Sequence, residues 1–411
     1  MKNGDKMKIL MITPDFVPGF GGIGIHVKNL LDIIAKKPDC YVTLLICRMR
    51  RTNDVNREYE EFPKINIIQN KNIRILDLNA GIQTKVDKYY KKKPIFTEEA
   101  YHDFRTINNC SDVETRILEN IDMLDTDYDL IHLHDAFNGP LAVLLKKMYN
   151  CPLLTTIHGI NAEEFTMIDN LKRYTIFNSD YLITVNSELK QLIGQRYIVQ
   201  KPTEVIYNSI NMPNVSDIHL NIENTFLPPY YITFCGRIDM YKGLDILLEA
   251  LKILIENGEK VKLIIIGDGL QKKEMQNLAQ NLGIYKNTIW TGTLAHKDVM
   301  EYYKKTYCIV VPSKKEPFST VALEGMSFGV PVICSNVGGF NEMIIDQIDG
   351  LLFESGNPID LSNKISSLIK SPYKRVEIAA SAVHSVKNKF SWRKNGEKTI
   401  NLYKKIIENR L

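Results

Sequence analysis

Glu316-Pro317-Phe318-Ser319-Thr320-Val321-Ala322-Leu323-Glu324 follows a short apolar run, Cys308 to Pro312, and leads into a glycine-punctuated helical stretch ending near Gly329. The apolar run reads as a buried strand and the hydroxyl pair Ser319-Thr320 as a helix start. A helix start leaves backbone N–H groups unpaired and carries partial positive charge, so it suits phosphate. A carboxylate only accepts hydrogen bonds, and sugar hydroxyls donate them, so Glu316 and Glu324 suit a sugar. The stretch predicts a pocket for a ligand with both phosphate and sugar parts.

The same strand–turn–helix unit recurs on both sides of it. Upstream, Tyr230 to Cys235 reads as a strand ending in Gly236-Arg237, followed by Lys242-Gly243 and a helix from Leu244 to Ile255. Val261 to Ile266 ends in Gly267-Asp268-Gly269; a helix to Leu282, a strand Thr288 to Thr291 and a helix Asp298 to Lys305 precede Cys308 to Val311. Downstream come a strand Pro331 to Cys334, Gly338-Gly339 and helices to the end, the last spanning Ser391 to Leu411. The first half shows the same alternation. Strands are expected at Lys8 to Thr13, Tyr41 to Cys47, Asp129 to His134, Pro152 to Ile157, Tyr181 to Val185 and Glu204 to Tyr207. Helices are expected at Ile23 to Ile34, Ala136 to Tyr149, Asn161 to Phe177 and Ser187 to Ile193. The region from Arg48 to Arg116 carries only β-like runs at Ile65 to Gln69 and Ile73 to Leu76. Alternating strands and helices predict parallel sheets with helices on both faces, and ligands at the carboxyl ends of the strands.

A chain of 411 residues is too long for one ordinary core. The polar, proline-containing stretch Asn208 to Pro229 is the linker candidate. Two α/β domains are therefore expected, 1–209 and 210–390, followed by a final helical segment, 391–411. Hydrophobic content of 44% and charged content of 24% are those of a soluble globular protein, and a net charge of +4 does not call for nucleic acid. Seven scattered cysteines, with no Cys-x-x-Cys pair, read as reduced core residues. The absence of an 18-residue apolar run and the polar start predict neither a spanning helix nor a signal peptide, hence a cytoplasmic protein. The basic aromatic patch Lys88-Tyr89-Tyr90-Lys91-Lys92-Lys93 reads as a solvated face or as a peripheral contact with an anionic membrane or lipid-linked acceptor.

Several side chains fall where ligands are expected. Arg237 and Lys242 flank a turn at a strand end; Arg forks onto two phosphate oxygens and Lys adds a point charge. Fixed cations there stabilise a leaving diphosphate. His134, Asp135 and His158, the last followed by Gly159, stand at strand ends in the first half. Pro18-Gly19-Phe20-Gly21-Gly22 lets backbone approach a ligand closely. Asp125-Thr126-Asp127 and Asp127-Tyr128-Asp129 look like metal-holding pairs but precede their strand, so they read as a solvated turn with no bound metal.

These residues together resemble the retaining GT-B glycosyltransferases of family 4, the glycosyl transferases group 1. Gly236-Arg237-Ile238-Asp239-Met240-Tyr241-Lys242-Gly243 is similar to that family's G-R-x-x-x-x-K-G, and Glu316 to Glu324 to its E-x7-E motif. Ile266-Gly267-Asp268-Gly269 is similar to its second-strand turn. Val205-Ile206-Tyr207-Asn208-Ser209-Ile210 is similar to its interdomain segment, with Ser209 where glycine is usual. Gly21-Gly22 with His26 resembles its glycine loop, and Thr156-Ile157-His158-Gly159 its donor-side histidine.

The resemblance implies two Rossmann-like doubly wound domains facing a central cleft, the first binding acceptor and the second a nucleotide-diphospho-sugar, UDP-sugar favoured. It assigns Arg237 and Lys242 to the diphosphate, Glu316 to the transferred sugar and Glu324 to the ribose. Backbone around Ser319, Thr320 and Val321 would meet the phosphates, with Gly236 and Gly267 lining the donor site. Gly21 and Gly22 would pass near the phosphates or sugar, and His158 would contact the donor sugar; His134 and Asp135 are placed on the acceptor side. The final segment would cross back onto the first domain. No metal or other cofactor is implied; the acceptor is a saccharide, lipid-linked, protein or small-molecule hydroxyl, and both front-face and covalent routes stay open. The rival readings are a GT-B epimerase or phosphorylase and a non-catalytic pseudo-glycosyltransferase partner.

Overall fold

A computed structural model describes residues 6–14, 16, 22–47, 66–70, 72–78, 115, 117–160, 166–214, 216, 218 and 227–409. The chain divides into two compact units. The first comprises Met1–Val185, Leu189–Ile206 and Asn395–Leu411; the second comprises Asn186–Glu188 and Tyr207–Lys394. Each unit is an α/β layer structure around its own sheet.

The first sheet has eight strands in the order β3-β4-β2-β1-β5-β6-β7-β8. They are β1 Met7–Thr13, β2 Cys40–Cys47, β3 Asn66–Asn70, β4 Ile73–Leu78, β5 Leu130–His134, β6 Leu153–Ile157, β7 Tyr181–Thr184 and β8 Thr203–Val205. All neighbours are parallel except β3 and β4, which form an antiparallel edge hairpin. Only two residues separate those strands, too few for a parallel crossover, which needs a dozen or more. Leu10, Ile12, Ile131, Leu133 and Leu153 are fully buried in the core on one side of this sheet. Strands covered on both faces read as continuous apolar runs, which is why they were legible.

The second sheet is wholly parallel, in the order β11-β10-β9-β12-β13-β14. Its strands are β9 Tyr230–Cys235, β10 Val261–Ile266, β11 Thr288–Gly292, β12 Cys308–Val311, β13 Val332–Ser335 and β14 Leu351–Phe353. Helix Leu244–Glu256 buries Leu244, Leu247, Leu248, Leu251 and Leu254 against it, a stripe at i, i+3, i+4, i+7 spacing. Both sheets are doubly wound: the strand order reverses between β1 and β5 in the first and between β9 and β12 in the second. The loops leaving those strands flank the crevice where open α/β sheets bind ligands.

Helix boundaries differ from the sequence reading where local chemistry intervenes. The helix expected from Ala136 starts at Gly139, because Asp135 takes a left-handed φ of 65° and Pro140 suits the first turn. The helix expected from Asn161 runs Met167–Asn178, capped by the Thr166 hydroxyl, which accepts from the Asp169 N–H at 3.1 Å; residues 161–165 lie outside the described residues. Helix Trp392–Glu408 ends the chain, and its residues from Asn395 onward belong to the first unit. There the Tyr403 hydroxyl meets His132 Nδ1 at 2.6 Å, and Lys404 pairs with Asp39 at 2.9 Å.

The acidic turn at 125–129 is more engaged than a solvated turn. Asp129 accepts from the Lys8 backbone N–H at 2.8 Å, Asp127 pairs with the Lys8 ammonium at 2.7 Å, and Asp125 accepts from Thr43 at 2.9 Å and Arg74 at 3.2 Å. These carboxylates lock the amino end of β5 to its neighbours. The six described cysteines are free, five of them buried; Cys110 and the Lys88 to Lys93 patch lie outside the described residues. Among the described residues no helix is long and apolar enough to cross a membrane.

Gly325 lets helix Thr320–Ser327 lie directly on its sheet. A Cβ there would stand 2.7 Å from Ile309 Cδ1 and 2.8 Å from Val332 Cγ1. Gly325→Val is expected to overpack this contact and destabilise the protein by about 1–3 kcal/mol, read from the midpoint of urea unfolding. An unchanged midpoint would show that the helix shifts freely.

Candidate active site

In the second unit, two loops converge at the switch point. The β9 loop carries Gly236, Arg237, Lys242 and Gly243; the β12 loop carries Ser313 to Ser319. They are joined by backbone. The Lys314 N–H donates to the Tyr241 carbonyl at 2.7 Å, and Gly243, at φ 68°, packs so closely that a Cβ would stand 2.0 Å from the Pro312 carbonyl oxygen. This junction places Lys242 Nζ 2.6 Å from Glu316 Oε2. The same oxygen accepts from the Ser313 hydroxyl at 3.2 Å, and the Glu316 carbonyl accepts from the Gly339 N–H at 3.0 Å. Glu316 is 9% exposed, so its carboxylate is held with little freedom.

The β10 loop closes from the other side. Gly267, at φ 140°, lies so close that a Cβ would be 1.9 Å from the Gly236 carbonyl oxygen, and the Gly236 N–H donates to the Ile266 carbonyl at 2.9 Å. Ser319 caps the following helix: its hydroxyl accepts from the Ala322 N–H at 3.2 Å, and Thr320 and Val321 form the first helical positions. Arg237 stands apart, with 71% of its side chain exposed and its Nε 2.5 Å from Asp239 Oδ2. Asp239, whose other oxygen accepts from the Tyr241 N–H at 2.9 Å, is a positioning residue that sequence reasoning did not single out.

Glu324 is held separately from Glu316. Its oxygens meet His296 Nε2 at 3.1 Å and the Tyr303 hydroxyl at 3.3 Å. The hydrogen bond to Glu324 raises the His296 pKa above its ordinary 6.5. Neither His296 nor Tyr303 carried a motif signal, because both reach Glu324 from a separate helix, His296–Tyr303.

In the first unit, helix Gly22–Ile34 and strands β5 and β6 bring histidines together. The ring centroids of His26, His134 and His158 stand 4.9 Å (His26–His158), 5.4 Å (His26–His134) and 5.7 Å (His134–His158) apart. His134 Nδ1 lies 3.4 Å from His158 Nε2. His132, two residues before His134 and on the same strand face, is anchored by Tyr403 and by Thr156 Oγ1 at 2.7 Å. Burial pushes the His132 and His158 imidazoles down to about 3 and lowers His134 well below its ordinary value, so all three are neutral near pH 7. Lys172, buried, donates to the Gly159 carbonyl at 3.1 Å and fixes the residue after His158, another partner the sequence did not reveal. Asp135 turns its Oδ1 onto the Ala136 N–H at 2.6 Å. Gly22 is exposed; Gly21 lies outside the described residues.

A profile for "Glycosyl transferases group 1" matches residues 216–384, and one for "Glycosyltransferase Family 4" matches residues 20–212. An uncharacterized glycosyltransferase of Methanocaldococcus jannaschii, MJ1178, is 30% identical over 401 residues, covering 94% of this chain and 95% of its own. The chain belongs to the family 4, group 1 glycosyltransferases. A second such protein of that organism, MJ1607, is 26% identical over 98% of this chain and 99% of its own. Among solved structures, sucrose-phosphate synthase from Thermosynechococcus elongatus superposes with a TM-score of 0.77 at 21% identity, over 98% of this glycosyltransferase-family chain and 100% of that one. Anabaena Alr3699/HepE, solved in complex with UDP-glucose, gives 0.67 at 19% identity, over 97% and 100%. These likenesses identify the GT-B fold.

The His296–Glu324 pair has a directional pH dependence. Because the folded-state pKa of His296 is raised, its stabilising contribution is complete below about pH 6.5 and is lost as pH rises through the higher folded value. Titration of the His296 ring signals by NMR is expected to give a midpoint above 6.5, falling towards 6.5 in Glu324→Gln. Identical midpoints in both proteins would remove the pairing.

Proposed function

We propose that this chain is a retaining, metal-independent glycosyltransferase that moves a sugar from a nucleotide-diphospho-sugar to a hydroxyl acceptor, in glycan or glycoconjugate synthesis in the cytoplasm. The observation that carries the reading is the Lys242–Glu316 pair at the switch point, beside the helix start capped by Ser319. Such a place offers a cation, free backbone N–H groups and a fixed carboxylate within one loop pair.

The chemistry follows from these groups. The bond from the sugar's anomeric carbon to the diphosphate oxygen breaks, and the electron pair goes to the phosphate. Lys242 and Arg237 oppose the charge that develops there, and the helix N-terminus at Ser319 to Val321 adds its partial positive charge. Glu316 accepts hydrogen bonds from the sugar hydroxyls, a role for which its Ser313 contact leaves the second carboxylate oxygen. Glu324 takes the ribose, and His158, neutral, contacts the donor sugar. The acceptor oxygen bonds to the anomeric carbon on the face the diphosphate leaves, and its proton passes to the departing phosphate. Every charge change is thereby met by fixed groups or by the leaving group itself. UDP-sugars are favoured; HepE, of the same fold, was solved with UDP-glucose.

Release of nucleoside diphosphate from UDP-, GDP- and ADP-sugars tests the reading. Turnover is expected with a UDP-sugar and is expected to survive EDTA. Lys242→Ala or Glu316→Gln should lower kcat by about 10²–10³ while the protein remains folded. Near-normal rates in both variants would remove their roles, and full loss on EDTA restored only by Mg²⁺ or Mn²⁺ would remove metal independence.

A further inference from the structure

The three histidines of the first unit form more than a donor contact. We propose that His26, His134 and His158 make a three-imidazole site for a borderline divalent transition ion, Zn²⁺ in class, with the fourth position left to water. The ligand nitrogens of these residues all lie within 4.8 Å of one another. Zinc–nitrogen bonds of about 2.0–2.1 Å set tetrahedral nitrogen–nitrogen edges of about 3.4 Å. His134 Nδ1 lies 3.4 Å from His158 Nε2, in hydrogen-bond reach, which leaves His134 Nε2 as the nitrogen for the ion. His26 completes the triangle, its ring centroid 4.9 Å from that of His158 and 5.4 Å from that of His134.

A second observation points the same way. His134 is 0% exposed, and among the described residues its Nε2 has no hydrogen-bond partner. A buried polar atom left unpaired is costly, and most such atoms in folded proteins have a partner. His132, although its ring centroid is 4.2 Å from that of His134, is not a ligand: Tyr403 and Thr156 occupy both of its nitrogens. It supports the site from behind. A set of imidazoles without thiolate or carboxylate selects zinc, cobalt, nickel or copper over Mg²⁺.

An ion there occupies the His158 ring. On the reading of His158 as a donor-sugar contact, the ion competes with donor; the binding itself does not depend on that reading.

The test uses metal-free, full-length protein. Equilibrium dialysis with Zn²⁺ should show one tight equivalent, and Co²⁺ should develop the intense visible bands of a four-coordinate ion. His26→Gln and His134→Ala, checked for folding by circular dichroism, should each weaken binding by more than the about ten- to hundred-fold that outer-partner changes cost. His384→Ala, on an exposed helix face, should bind as the parent does. Retained affinity in both His26→Gln and His134→Ala, or loss in His384→Ala, would show an adventitious surface ion and overturn the site. In a transfer assay Zn²⁺ should raise the KM for donor. Tight binding with an unchanged donor KM would keep the metal site and remove the competition.

Discussion

The Lys242–Glu316 ion pair is the constraint on which the second unit's site depends. Two parallel strands at a reversal of winding order leave a crevice, and the loops that leave them could diverge. Here backbone joins them, with the Gly243 turn pressed against Pro312 and Lys314 bonded to Tyr241. The ion pair then forms where burial makes it consequential. Removing one member would strand a charge in a half-buried place, a far larger penalty than the loss of an exposed pair. The glycines at 243, 267 and 338 have the same origin: backbones approach too closely there for any side chain.

The first unit repeats the topological logic with different chemistry. Helix Gly22–Ile34 and the ends of β5 and β6 converge as the loops of the second unit do, but they present imidazoles rather than a cation and a carboxylate. The parallel register that sets His134 opposite Thr156 places His158 just beyond that pair. Neutral rings in a buried place can donate and accept hydrogen bonds without the cost of burying a charge.

The architecture was legible in the sequence because every central strand is covered on both faces. Tyr230–Cys235, Val261–Ile266 and Cys308–Val311 were read to the residue, since an apolar run bounded by glycine or proline leaves little choice. The antiparallel β3 was not, because its direction depends on a two-residue connection rather than on composition. In the candidate site, Lys242, Glu316 and Glu324 stood out by their place after strands. Their partners did not. Asp239, His296 and Tyr303 act by folding back on a motif residue, and no periodicity marks that. The histidine triangle is the extreme case: its members are 24 to 132 residues apart, and only the strand order brings them together. One helix start was misplaced at Asp135, where a left-handed residue delays the first turn.

The hydroxyl of Tyr403 on His132 has a consequence for synthesis on the ribosome. The first unit draws on residues up to Ile206 and again from Asn395, so it is discontinuous in the chain. At about 5–20 residues per second, some 10–40 s pass between the emergence of β8 and that of the closing helix. During that interval one face of the nascent unit lacks Tyr403, Ile406 and Ile407, which are all but fully buried in the finished protein. The second unit, by contrast, is complete in sequence before those residues appear. The unit that begins first is therefore the one that finishes last, and the inner histidine strand reaches its final hydrogen-bonded state only after Tyr403 has been made.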